Sequence, residues 1–149
     1  MLLKLEEVTA QKEIEVSIKF PEMNLEVMRL IALVRSADTQ IRCVAEGKEM
    51  LLNASDIYYV ESVDKRTFIY CENKVYRTDL RLYQLLETLS SVGFVQISKS
   101  CILNIHVLDF VRPLLNSRME ATLKNGERLN VSRKYLVNIK CKLQEGMDR

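Results

Sequence analysis

Apolar and polar residues alternate with period two from Glu13 to Phe20, placing Ile14, Val16, Ile18 and Phe20 on one face, so the pattern predicts a strand that Pro21 ends. From Asn24 to Arg35 the period changes. Leu25, Met28, Leu30, Ile31, Leu33 and Val34 fall at helical spacing behind Asn24, a residue suited to cap a helix N-terminus. Thr39 to Ala45 alternates again, and the three segments together predict a small β-α-β unit over residues 1–52. Past it, turn signals at Gly47-Lys48 and at Asn53 to Asp56 frame a short strand, Glu49 to Leu52.

Residues 53–149 read differently, as a mainly β (α+β) unit. Ile57 to Ser62 and Thr67 to Cys71 form a predicted hairpin that turns through Val63-Asp64-Lys65-Arg66, and a further strand follows at Val75 to Thr78. Asp79 stands where a cap is needed for a helix from Leu80 to Leu89, whose Leu82, Leu85, Leu86 and Leu89 make an apolar stripe. Ser90 to Gly93 breaks that helix. Phe94 to Asn104, FVQISKSCILN, alternates again, and Val107 to Leu115 is strand-like, with Pro113 pointing to an edge or a bulge. Arg118 to Leu123 leads into Lys124-Asn125-Gly126-Glu127, a tight hairpin loop, and Leu129 and Val131 lie on the return strand. Ser132 is positioned to cap a last helix on which Tyr135, Leu136, Ile139 and Leu143 share a face.

The 149 residues, 48% of them apolar, are enough for a real core and argue against wholesale disorder. No apolar run reaches the length of a signal peptide or a membrane-spanning helix, which predicts a cytoplasmic protein. The four cysteines, Cys43, Cys71, Cys101 and Cys141, lie too far apart for zinc-ligand spacing, so no metal and no cofactor is expected. The N-terminal part is also too short for a phosphate-accepting receiver and lacks its clustered aspartates.

Charge is unevenly distributed. The net value of +2 conceals −3 over residues 1–56 and +5 over residues 57–149, with +6 concentrated between Ser91 and Leu143. Within that basic stretch two segments end in hydroxyls beside cations: Ser98-Lys99-Ser100, and Ser132-Arg133-Lys134. Hydroxyls and cations at strand ends suit phosphate and base-edge contacts, because loops on a rigid sheet project their donors outward. Arg133, one residue past a capping serine, could pair bidentately with guanine O6 and N7. Lys65, Arg66 and Thr67, at the tip of the first hairpin, are a third candidate contact.

Catalysis is a weaker reading. Cys101 and His106 supply a thiol and an imidazole, but Cys101 lies on an apolar alternation and His106 has no evident orienting partner, so no enzyme is predicted. Nor is there the aromatic and glycine interleaving of RNA-binding sheets, which favours duplex DNA over RNA.

Three stretches also carry a family resemblance. Asp56 to Ser62 (DIYYVES), Phe94 to Asn104, and Leu123 to Tyr135 with its Asn-Gly and Val-Ser-Arg-Lys-Tyr are similar to motifs of the LytTR family of bacterial DNA-binding domains. The resemblance implies elongated β-sheets with short helices, whose loops enter successive major grooves of double-stranded DNA, commonly as two copies on tandem promoter repeats. It implies Arg133 as a base reader, Lys99 with Ser98 as a second contact, and Lys65 to Thr67 as a third. Ser98 stands where the family often has histidine, and Cys101 where it often has an aromatic residue. The chain resembles stand-alone members without a receiver, often encoded beside a small membrane protein, which implies control by partner binding or abundance. The expected protein is therefore a sequence-specific transcriptional regulator, a homodimer on DNA, with no small-molecule substrate. The alternative is an interaction module whose basic loops bind an acidic protein, with the N-terminal unit serving dimerisation or partner binding.

Overall fold

The computed structural model describes residues 1–147, and the side chains of residues 1–141. Helix α1 (Leu25–Asp38) begins at Asn24, whose side chain accepts a hydrogen bond from the Val27 N–H, as the sequence predicts. Strands β1 (Gln40–Ala45) and β2 (Lys48–Asn53) follow, then β3 (Ile57–Val63), β4 (Arg66–Cys71) and β5 (Val75–Thr78). Helix α2 (Leu82–Leu89) leads to β6 (Phe94–Ser98) and β7 (Cys101–Asn104). Strands β8 (Leu108–Pro113), β9 (Met119–Leu123) and β10 (Arg128–Val131) precede helix α3 (Leu136–Met147).

The fold is mainly β. Strands β1 to β7 form one antiparallel sheet in the order β2-β1-β5-β4-β3-β7-β6, and β10-β9-β8 form a second. The first face of the large sheet packs Val60, Ile69 and Ile102 against Leu85 and Leu89 of α2. Its other face, at the β3-β7-β6 end, packs Tyr59, Ile97 and Leu103 against Ala121, Leu123 and Val131 of the small sheet and Ile139 of α3. All four residues of β7 are consequently buried. A strand sandwiched in this way needs apolar side chains on both faces, which accounts for the unbroken Cys101-Ile102-Leu103 run.

The exception in β7 is Asn104, which is 1% exposed. Its amide donates to the Ile57 carbonyl at 2.8 Å, and its oxygen accepts the His106 N–H at 2.9 Å. Asn104→Ala should lose about 1–3 kcal/mol, since the buried Ile57 carbonyl and the half-buried His106 N–H are left without this partner. A fall in urea midpoint at constant m-value is the readout.

Several expectations require correction. Residues 13–20 form no strand, and among the described residues nothing pairs with them, so the β-α-β unit is not built. A lone amphipathic strand gains nothing from its apolar face without a neighbour; β1 and β2 form a hairpin instead, joined edge-on to β5 through Val44 and Arg77. Asp79 is not the α2 cap. Arg81 occupies that position, its N–H donating to Gln84 Oε1 at 2.8 Å, while Thr78 Oγ1 accepts from the Leu80 N–H. Ser132 sits before a 3-10 turn, Arg133–Tyr135, and its side chain makes no capping bond. Leu143, expected on the α3 face, lies outside the described side chains. None of the described helices is long and apolar enough to cross a membrane.

Candidate nucleic-acid interface

Strand register decides where the basic loops lie. Glu61 of β3 pairs with Cys101 of β7, and the next residue, Ser62, donates its N–H to the Ser100 carbonyl at 2.8 Å. The β3–β4 turn and the β6–β7 turn therefore leave the sheet at the same end. Ser132 then donates its N–H to the Ile97 carbonyl at 2.9 Å, drawing the end of β10 to that same place. The paired residues Val63 and Arg66, and Ser98 and Cys101, thus lie together with the Ser62–Ser100 and Ser132–Ile97 backbone hydrogen bonds across one end of the molecule.

Each loop presents its charge differently. In the β3–β4 turn, Asp64 and Lys65 both take positive φ (50° and 65°), the mirror-image turn that suits the twist of a two-residue hairpin. Lys65 and Arg66 are exposed, whereas Thr67 is only 4% exposed, so its side chain supports the hairpin from within. In the β6–β7 turn Lys99 is exposed and Ser98 and Ser100 are half-buried. The Ser98 hydroxyl accepts the Ser100 N–H at 3.2 Å, fixing the turn behind a register shift between Gln96 and Ser98. In the third loop Arg133 and Lys134 are exposed, Ser132 is half-buried, and the Lys134 ammonium lies 5.8 Å from the centre of the Tyr135 ring.

Arg133 is oriented by a contact that the sequence does not announce. Its Nη2 donates to the Asn116 carbonyl at 2.8 Å. Asn116 lies in the β8–β9 turn, which is closed by the Leu114 N–H on the Arg118 carbonyl and bent by positive φ at Asn116 and Ser117. Between this turn and the end of β10 is a groove of about 580 Å³ lined by Asn116, Arg118, Asn130, Val131, Ser132 and Arg133. Asn116, Arg118 and Asn130 were not among the predicted site residues. Their signal was the Asn-Gly hairpin itself: the pairing of Met119 with Val131 carries Arg118 to the side of Ser132.

The Asn-Gly turn lies at the other end of β10 and has a structural task. Gly126, at φ +90°, closes it with an N–H bond to the Leu123 carbonyl. Asn125 reaches the Glu72 carbonyl at 3.0 Å, and Glu127 accepts from the Tyr59 hydroxyl at 2.7 Å, beside a Tyr59–Tyr70 stack at 4.3 Å. These contacts fasten the small sheet to the large one. Burial first, then the hydrogen bond to Glu127, raises the Tyr59 pKa and keeps its hydroxyl a donor.

Cys101 and His106 do not form a nucleophile and base. Burial first, then the Glu61 charge, pushes the Cys101 thiol up to about 12, and the His106 ring packs on Gly93 with its Nε2 3.0 Å from the Val92 carbonyl. Among the described residues no group of three His, Cys, Asp or Glu side chains is placed to hold a metal ion.

A sequence model of the LytTr DNA-binding domain matches residues 47–144. The chain is 29% identical over 98 residues to the sensory transduction protein LytT of Enterococcus faecalis, covering 66% of this chain and 40% of that protein. It is 32% identical over 95 residues to the Bacillus cereus protein of the same name, covering 64% and 39%. The chain thus spans about two fifths of the length of these two relatives. An uncharacterized HTH-type transcriptional regulator of Staphylococcus aureus strain MSSA476 is 30% identical over 146 residues, covering 95% of this chain and 99% of that one. A solved LytTr DNA-binding domain from Bacillus cereus superposes with a TM-score of 0.66 at 22% identity, covering 70% of this chain and 96% of that one.

Proposed function

The chain belongs to the LytTR family of DNA-binding domains, and from that premise we propose that it is a bacterial transcriptional regulator that recognises specific sequences in double-stranded DNA through three strand-end loops. One observation carries the reading: backbone hydrogen bonds join the Lys65-Arg66, Lys99 and Arg133-Lys134 loops along one end of the molecule. Rigid strands set the spacing, so loops rather than a recognition helix enter the major grooves. Arg133 reads a base, with its guanidinium braced by the Asn116 carbonyl. Lys99, with the Ser98 and Ser100 hydroxyls, makes the second contact, and Lys65 and Arg66 make the third. Thr67 has no direct role in this reading. Ser132 places its neighbours through the Ile97 carbonyl, and Lys134 and Arg118 supply phosphate contacts. Two copies bind tandem repeats in a promoter, and a small membrane protein is the kind of partner that would withdraw the regulator from DNA.

DNase footprinting on DNA upstream of the protein's own gene tests this. The expected result is a discrete protected stretch containing a repeated element, with unrelated duplexes protected only at much higher concentration. Equal protection of every duplex would point to a basic surface that binds acidic partners without reading sequence. Five phosphate-facing cations (Lys65, Arg66, Lys99, Arg118 and Lys134) should give a slope of log affinity against log salt of about −4 to −5 per copy, at roughly −0.9 per neutralised phosphate.

A further inference from the structure

We propose that residues 13–20 are an exchanged arm: in a dimer they add to the open edge of β2 in a second copy of this chain, as an eighth strand. The segment keeps the alternation of a half-buried strand but pairs with no strand among the described residues; Ile14, Val16 and Phe20 are 93%, 57% and 41% exposed, and Ile18 is half-buried. Strand β2 has the complementary deficiency. It ends the large sheet with one edge unpaired, and Met50 and Leu51 are 39% and 61% exposed. Open strand edges with exposed apolar side chains are stabilised by strand addition, and reciprocal addition between two copies closes on a two-fold axis.

Charge and pattern together select a register. With Ile18 opposite Met50 in an antiparallel pair, Val16 meets Leu52 on the face that already contains the core, and Phe20 meets the aliphatic stem of Lys48. On the other face Lys19 stands opposite Glu49, Ser17 opposite Leu51 and Glu15 opposite Asn53. Slipping by two residues toward Ile14 puts Glu15 opposite Leu51 and loses the Lys19–Glu49 pair. Slipping two residues the other way puts Pro21, which lacks an N–H, opposite Glu49. The favoured register leaves Pro21 beyond the ladder, where the chain turns toward the Asn24 cap of α1. This inference is independent of the DNA reading, since β2 and the basic loops are separate surfaces.

The test uses the full chain with exposed Cys141 replaced by serine. Ile18→Cys and Met50→Cys are made as separate variants, mixed, and oxidised. The mixture should give a covalent dimer on a non-reducing gel, while each variant alone does not, and an Ile14→Cys plus Met50→Cys mixture should link at least five-fold less. By light scattering the unsubstituted chain should have twice the monomer mass, and Ser17→Pro should halve it with an unchanged circular dichroism spectrum. If Ser17→Pro does not fold, the cross-linking pair still decides. A monomeric unsubstituted chain overturns the proposal, as does a folded Ser17→Pro dimer, equal linking through Ile14→Cys, or a disulfide that forms only when both cysteines are in one chain. Binding of a single DNA repeat by folded Ser17→Pro is expected to continue, so loss of the dimer and loss of DNA recognition read out separately.

Discussion

Arg133→Ala is expected to remove about 1–3 kcal/mol of discrimination at one or two base pairs, roughly a 5- to 150-fold loss of preference there, without unfolding the chain. The side chain is exposed, and the one ion pair among the described residues is elsewhere, between Arg112 and Glu120. Truncation therefore removes one hydrogen bond to the Asn116 carbonyl, an exposed group that water can satisfy. Thermal stability should stay within about 0.5 kcal/mol of the parent, the usual range for surface changes. Arg133→Lys should not restore the preference, because an ammonium cannot make the planar two-point contact of a guanidinium. Lys99→Ala provides the contrast: a contact dominated by phosphate should weaken binding evenly across sequences and reduce the salt slope by about one. Competition between the operator and single-base variants measures both. An unchanged ranking of those variants in Arg133→Ala would remove the base-reading role.

Much of the candidate interface was legible as loops because its residues lie on turns, and turns announce themselves. Val63 to Arg66 sits between two clear strand patterns, and Lys99 interrupts an apolar run, so both cations could be placed on loops before any contact was known. Their common end could not. It depends on β7 pairing with β3, Glu61 with Cys101, across a long stretch of intervening chain, and on the Ser132–Ile97 bond that draws the end of β10 across. Thr67 shows the opposite error: one residue past an exposed tip, the strand alternation turns its side chain inward. The N-terminal strand failed for a related reason. Period-two alternation states which face wants burial, and residues 13–20 have it in full, but the pattern does not say whether this chain supplies the neighbour. Helix caps were read from residue type, which favoured Asp79 and Ser132; the structure instead closes α2 with Gln84 reaching back to the Arg81 N–H. Side-chain rank cannot distinguish such local alternatives.

Gly93→Ala is expected to destabilise the chain by about 2–5 kcal/mol, from strained backbone and overpacking together. Gly93 ends the 3-10 turn that follows α2, with φ at +104° and ψ at 16°. Left-handed backbone costs an ordinary L-residue about 1–2 kcal/mol. Space is the second problem. A Cβ here would lie 2.4 Å from His106 Nε2 and 2.9 Å from Cδ2, so the imidazole would have to leave the Val92 carbonyl, and overpacking of this kind adds about 1–3 kcal/mol. The ring has little room to yield, because the His106 N–H is held by Asn104 and the Ile105 N–H by the Gly93 carbonyl. The two contributions separate in a double-mutant cycle. His106→Ala in the Gly93→Ala background should recover the steric part and leave the backbone part, whereas a loss below about 1 kcal/mol in Gly93→Ala alone would show that neither operates. Gly93 enters β6 at the end opposite the Lys99 turn, so the defect should lower the folded fraction without changing the preference of the molecules that fold. Base preference unchanged at reduced active concentration is the signature that separates this position from Arg133.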